Sequence, residues 1–191
     1  MIKGYFFDLD GVVFNTEPLY TRYWSQVGER LQPQIPDFAL RIKGQTLPQI
    51  FDAYFSGALA GEQESIVRGL DDFEAHMDLV TSSNHKKMEN VYRCHPGFQE
   101  MFEEILTAED FAASKPSPDC YLKAAKRFGL SPDDCVGFED SFNGLKSVKA
   151  AHMKVVGLAT TNSPESISAL ADFIIKDYTN LDLLISRLRK W

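Results

Sequence analysis

Short apolar runs recur along the chain, each followed by acids, glycine or hydroxyls. The first, Ile2 to Leu9 (IKGYFFDL), leads into Asp10 and Gly11. Glu104 to Thr107, Cys135 to Phe138, Lys154 to Ala159 and Phe173 to Ile175 have the same character, and Leu79 to Thr81 reads as the end of another. Such runs predict buried parallel strands, although periodicity alone does not separate a short strand from a buried helical segment. Helical patterns lie between them. Ser117-Pro118 opens one as N-cap and first helical residue; it runs through Tyr121, Leu122, Ala125 and Phe128 and closes at Gly129. Ser163-Pro164-Glu165 opens another, and Ser141 to Ala151 and Asn180 to Lys190 are two more. Strands alternating with helices predict an α/β fold with a parallel sheet.

The stretch from about Thr16 to Asp78 departs from this alternation. Its apolar positions are aromatic and helically spaced (Leu19, Tyr20, Tyr23, Trp24; Ile50, Phe51, Tyr54, Phe55), with no strand pattern. It predicts a helical insertion after the first strand, its aromatics forming a core of their own rather than a ligand box.

Length and composition narrow the function. At 191 residues the chain is one domain, or one with a modest insertion. A net charge of −7 argues against non-specific nucleic-acid binding, which needs a basic surface, but leaves room for an anionic substrate at a locally positive site. Cys94, Cys120 and Cys135 are too few and scattered for a disulfide framework or a zinc site, which predicts reduced thiols and a cytoplasmic setting. The four histidines, His76, His85, His95 and His152, lack metal-ligand spacing. No apolar run reaches the length of a membrane span, and the amino-terminal residues lack signal-peptide architecture.

Four short motifs carry candidate chemistry. Asp8-Leu9-Asp10-Gly11 ends the first strand, where open α/β sheets bind ligands. Its two carboxylates could serve as nucleophile and acid/base, or both bind metal; the same residues would also make a plain Asp-Gly turn. Thr81-Ser82-Ser83-Asn84 places hydroxyls where a strand meets a helix, which suits phosphate but also suits an N-cap. Lys115, between Ser114 and Pro116, could balance two carboxylates and a phosphate, or be a surface lysine. Glu139-Asp140-Ser141 again puts acids directly after a strand: Asp140 could bind Mg²⁺, or it or Ser141 could cap the next helix. Together the four supply what phosphoryl transfer needs, namely positioning and charge neutralisation. No GxxxxGK[ST] loop is present to supply a nucleotide site.

With DLDGV, TSSN, SKPSPD and GFEDSFNG in this order, the chain resembles the haloacid dehalogenase-like hydrolases, and within them the β-phosphoglucomutase-like phosphatases with a helical cap. The resemblance covers nearly the whole chain. It implies a three-layer Rossmann-like core with a parallel sheet, formed by residues 1–14 and 79–191, and an inserted α-helical cap, residues 15–78. It further implies that Asp8 attacks phosphorus, that Asp10 acts as acid and then base, and that Lys115 bridges phosphate and Asp8. Mg²⁺ would be held by Asp8, the Asp10 backbone carbonyl and Asp140, with Glu139 assisting. Gly11, Ser82, Ser83 and Asn84 would surround the phosphoryl group, Lys43 and Gly44 would belong to the cap's substrate loop, and Thr16 would lie near the hinge. The implied activity is a Mg²⁺-dependent phosphatase acting on a small phosphorylated metabolite, a sugar phosphate, with no nucleic-acid, membrane or obligate protein partner.

Three departures qualify this. Asn15 stands where many relatives have aspartate. Tyr20 and Leu47 stand where the mutase has a histidine and a phosphate-gripping arginine, which favours a phosphatase over a hexose phosphate mutase. The stretch before Thr81 is also short. A core helix and a full strand need about 20 residues there, yet only Leu79 and Val80 follow the apparent end of a cap helix at Phe73 to Asp78. Residues are therefore expected to be missing near Asp78 and Leu79, either skipped in the numbering or truly deleted. A true deletion would favour a third possibility, a non-catalytic phosphate-binding protein.

Overall fold

The computed structural model describes residues 1–14, 17–43, 45–75 and 85–191. The shortened stretch near Asp78 and Leu79 lies outside them. The sheet has four strands, β1 (Gly4–Phe7), β2 (Cys135–Glu139), β3 (Lys154–Leu158) and β4 (Phe173–Ile175). They pair side by side in the order β1-β2-β3-β4, all parallel, with Gly4 opposite Cys135 and Val136 opposite Lys154. The helices are α1 (Glu17–Leu31), α2 (Phe38–Arg41), α3 (Leu47–Tyr54), α4 (Gln63–Ala75), α5 (His85–Cys94), α6 (Asp119–Arg127), α7 (Phe142–Ala150), α8 (Pro164–Ile167) and α9 (Leu181–Leu188).

Alternation along the strands builds three layers. On one face Cys135 and Val155 pack with Tyr121 and Ala125 of α6, Leu145 and Val148 of α7 and Ile167 of α8. On the other face Val136, Phe138, Val156 and Leu158 pack with Ile2, Val12 and Leu184 of α9. All five residues of β2 are buried, as a central parallel strand requires. Burying a side chain such as Leu145 or Phe138 contributes about 1.5–3 kcal/mol.

The predicted helical insertion has its own apolar centre. Tyr23, Trp24 and Val27 of α1, Phe38 of α2, Ile50 of α3, and Ile66 and Leu70 of α4 pack together with Phe55. None of these residues belongs to the two clusters on the sheet. The aromatics are core, as predicted: Tyr23 and Trp24 meet edge to face, and the Tyr23 hydroxyl donates to the Ile66 carbonyl at 2.8 Å.

Local signals placed several ends correctly. Ser141, Ser163 and Asn180 cap α7, α8 and α9, each side chain accepting a hydrogen bond from the backbone N–H three residues on. Helix α6 closes as predicted, with bonds from Gly129 N–H to the Lys126 carbonyl and from Leu130 N–H to the Ala125 carbonyl. Two expectations are corrected. Helix α6 begins at Asp119 with Pro118 as its N-cap, so Ser117 stands one residue further out and does not cap it. The Asp119 carboxylate instead turns back to the N–H groups of Ala112 and Ala113, at 2.6 and 3.4 Å. Glu104 to Thr107 is not a strand. A strand exists only with a neighbour to share its hydrogen bonds. Among the described residues β1, with only β2 beside it, ends the sheet, and nothing pairs with 104–107.

Candidate active site

The site lies at the carboxyl ends of β1 and β2. Asp8 follows β1, its N–H donating to the Phe138 carbonyl at 3.0 Å; Glu139 ends β2 and Asp140 follows it. Parallel pairing of the two strands therefore brings residues 131 positions apart side by side. Carboxylate oxygens of Asp8, Glu139 and Asp140 lie within 4.8 Å of one another.

Lys115 enters this cluster from the loop before α6. Its Nζ donates to Asp8 Oδ1 at 2.7 Å and to Glu139 Oε1 at 2.5 Å. The loop is pinned from both sides, by Asp119 and by the Ser147 hydroxyl of α7, which donates to the Ser117 carbonyl at 2.5 Å. Tyr121, on the first turn of α6, lies beneath Lys115, with Nζ 5.6 Å from the ring centre, and donates its hydroxyl to the same Glu139 oxygen at 2.6 Å.

These contacts set the electrostatics. Burial would lower the Lys115 ammonium, but the Asp8 and Glu139 carboxylates outweigh it and hold it well above its ordinary range. Glu139 is fully buried; that burial, and then the Asp8 charge, raise its carboxyl from 4.5 to about 7 against the opposing pull of Lys115 and Tyr121. Burial, and then the Glu139 charge, push the Tyr121 phenol well above its ordinary range, so it stays a donor.

A divalent cation fits this cluster. Lys115 bridges two of the three grouped carboxylates, Asp8 and Glu139, and Glu139 Oε2 is buried without a hydrogen-bond partner among the described residues. A Cβ on Gly144 would overlap that Glu139 carboxylate, so glycine there gives it room. An all-oxygen donor set suits Mg²⁺.

Asp10 and Gly11 lie in the turn after β1, closed by bonds from Gly11 N–H to the Phe14 carbonyl and from Val13 N–H to the Leu9 carbonyl. Gly11 has φ +69°, and a Cβ there would collide with the Asp140 carboxylate. The Asp10 carboxylate is outside the three-acid group, compatible with the expected use of its backbone carbonyl. Asp8, Asp10, Lys115 and Asp140 line a cavity of about 1090 Å³ that Lys43 also lines, as do Tyr20 and Leu47. The expected roles of Thr16, Gly44, Ser82, Ser83 and Asn84 fall outside the described residues. Of the two capping alternatives at the fourth motif, Ser141 caps the helix, leaving Asp140 for the acid cluster.

Sequence reasoning missed Thr160, Thr161 and Asn162, which follow β3. Thr161 donates to Asp140 Oδ2, Asn162 Nδ2 donates to the Asp140 carbonyl at 2.9 Å, and Thr160 donates to the Gly11 carbonyl at 2.6 Å. The available signal was position: polar residues at the carboxyl end of a third parallel strand.

The sequence signature of the haloacid dehalogenase-like hydrolases matches residues 75–152. YhcW of Bacillus subtilis, named as a candidate phosphatase, is 30% identical over 82% of this chain and 83% of its own length. The fructose-1-phosphate phosphatase YqaB of Escherichia coli is 28% identical over 80% of this chain and 94% of its own. The bifunctional riboflavin kinase/FMN phosphatase of Arabidopsis thaliana is 28% identical over 96% of this chain, which spans 54% of that longer protein. That alignment runs over 211 positions, more than the 191 residues here, so the relative carries residues with no counterpart in this chain. Among solved structures, the β-phosphoglucomutase of Clostridium difficile superposes with a TM-score of 0.76 at 19% identity, covering 100% of this chain and 98% of that one.

Proposed function

Since the chain belongs to the haloacid dehalogenase-like hydrolases and is a phosphoric monoester hydrolase, we propose that it releases phosphate from a small phosphorylated metabolite, a sugar phosphate, by double displacement through Asp8. The observation that carries this is Lys115, whose single ammonium bridges Asp8 and Glu139 beside Asp140. An aspartate held by a lysine at the mouth of a parallel sheet is positioned as a nucleophile without being buried as a spectator.

In the proposed reaction an Asp8 carboxylate oxygen bonds to phosphorus as the bond to the leaving oxygen breaks. Asp10 gives that oxygen its proton and the alcohol departs. Asp10 then takes a proton from water, whose oxygen attacks phosphorus; the bond to Asp8 breaks and phosphate leaves. Lys115 holds Asp8 in place and offsets charge on the phosphoryl oxygens. Asp8, the Asp10 carbonyl and Asp140, with Glu139 assisting, would hold Mg²⁺, which would supply further neutralisation of the phosphoryl charge. Ser82, Ser83 and Asn84 are proposed to grip the phosphoryl oxygens.

The proposal assigns residues 1–14 and 79–191 to the catalytic core and 15–78 to a helical cap carrying the substrate loop at Lys43 and Gly44. The separate apolar centre of α1 to α4 supports that division. Three free cysteines suit a reducing compartment, and we place the activity in the cytoplasm.

The test is phosphate release from a panel of sugar and polyol phosphates with Mg²⁺ and with EDTA, the parent beside Asp8→Asn. Release that needs Mg²⁺ and disappears in Asp8→Asn is expected. Release that survives Asp8→Asn would overturn the nucleophile. Isomerised β-glucose 1-phosphate in the presence of a bisphosphate primer, without free phosphate, would make the chain a mutase despite Tyr20 and Leu47. Phosphate binding without turnover would make it a binding protein.

A further inference from the structure

We propose that Thr161 is a positioning residue for Mg²⁺ binding, and that the Thr160-Thr161-Asn162 loop ties the two acid-bearing loops into one unit. The inference rests on the reading of Asp140 as a metal ligand. Asp140 is only 4% exposed and stands directly after β2, and the terminal torsion of a carboxylate is soft. The Thr161 hydroxyl donates to Oδ2, which restrains that torsion, and Asn162 Nδ2 holds the backbone of the same residue at 2.9 Å. A hydroxyl donating to a carboxyl oxygen in a buried site is strengthened by the low local dielectric.

The loop also reaches the nucleophile's side of the site. Thr160 donates to the Gly11 carbonyl at 2.6 Å, one residue beyond Asp10. A Cβ on Gly11 would overlap the Asp140 carboxylate and lie 3.0 Å from Thr161 Oγ1, so the backbone at 11, Asp140 and Thr161 are packed as one layer. Three consecutive side chains thus join the turn after β1 to the acid after β2. None of them is spent on capping α8, because Ser163 does that. They contact Asp140 and Gly11 rather than any reacting atom, which makes them positioning rather than catalytic residues.

The variants that separate this from a plain packing role are Thr161→Val, which keeps the shape and removes the O–H, and Thr161→Ser, which restores it. Mg²⁺ binding to the metal-free full chain is measured by calorimetry, alongside its thermal midpoint and the Mg²⁺ dependence of phosphate release. Thr161→Val is expected to bind Mg²⁺ about 10- to 100-fold more weakly, as losses of outer-sphere partners do, with kcat recovering at high Mg²⁺ and KM unchanged. Thr161→Ser is expected to restore the affinity. Parental affinity in Thr161→Val overturns the inference and leaves the phosphatase reading intact. If the parent itself binds no Mg²⁺, the metal reading falls first and the inference with it. Thr161→Ala is judged by the same criterion should the valine variant not fold.

Discussion

Glu139→Gln in the metal-free protein is expected to stabilise it progressively as the pH rises. Glu139 has no exposed surface, and its carboxyl is raised from 4.5 to about 7, first by burial and then by Asp8. Between those values the native state holds a proton that the unfolded chain has released. The stability this contributes is complete below about 4.5 and is lost as the pH rises through about 7. The interval corresponds to about 3 kcal/mol. Glutamine cannot ionise, so it escapes the loss. Its amide also carries a burial cost of its own, but that cost is constant with pH, so the slope of the difference is the observable. Urea unfolding in EDTA, at closely spaced pH values from 4 to 8, measures it. The stability of Glu139→Gln minus that of the parent should climb by about 3 kcal/mol over the range. A flat difference, or a parent that gains on the variant as pH rises, would refute the burial and charge reasoning.

Lys115 carries a further prediction at the same cluster. Lys115→Met leaves Asp8 and Glu139 facing each other without their shared cation; with Asp8 and Lys115 partly exposed, at 20% and 29%, the loss should be about 2–3 kcal/mol. That lowers the metal-free thermal midpoint by about 5–10 °C and removes phosphate release; an unchanged midpoint would mean that the bridge is not structural.

What was legible in the sequence was mainly local. β2, β3 and β4 are apolar runs bounded by turn residues, and Ser141, Ser163 and Asn180 carry their caps within three residues. Asp8, Lys115, Glu139 and Asp140 were legible because each stands at or directly after a strand end or shortly before a helix; pairing of β1 with β2 brings the three acids together, and the loop before α6 brings Lys115 to them. The segment 104–107 failed for the opposite reason. Ile105 and Leu106 have strand character, but a strand is a property of two segments, and its neighbour is not encoded within it. Thr161 escaped notice because a threonine after a strand has no distinctive spacing; only the fold brings it to Asp140, 21 positions away. Tyr121 read correctly as an apolar helix position, yet the pattern gave no hint that its hydroxyl would reach Glu139.

The separate apolar centre of α1 to α4 bears on how such a protein can diversify. Tyr23, Trp24, Phe38 and Ile50 pack in a cluster that has no member in common with the two sheet clusters, so an exchange there is met first by repacking within α1 to α4. Inherited changes there can reshape the wall of the cavity while the carboxylates and their lysine keep their spacing. Selection for a new leaving group and selection for the phosphoryl chemistry can then act on different parts of the gene, so one set of acids can be passed intact through many substrates.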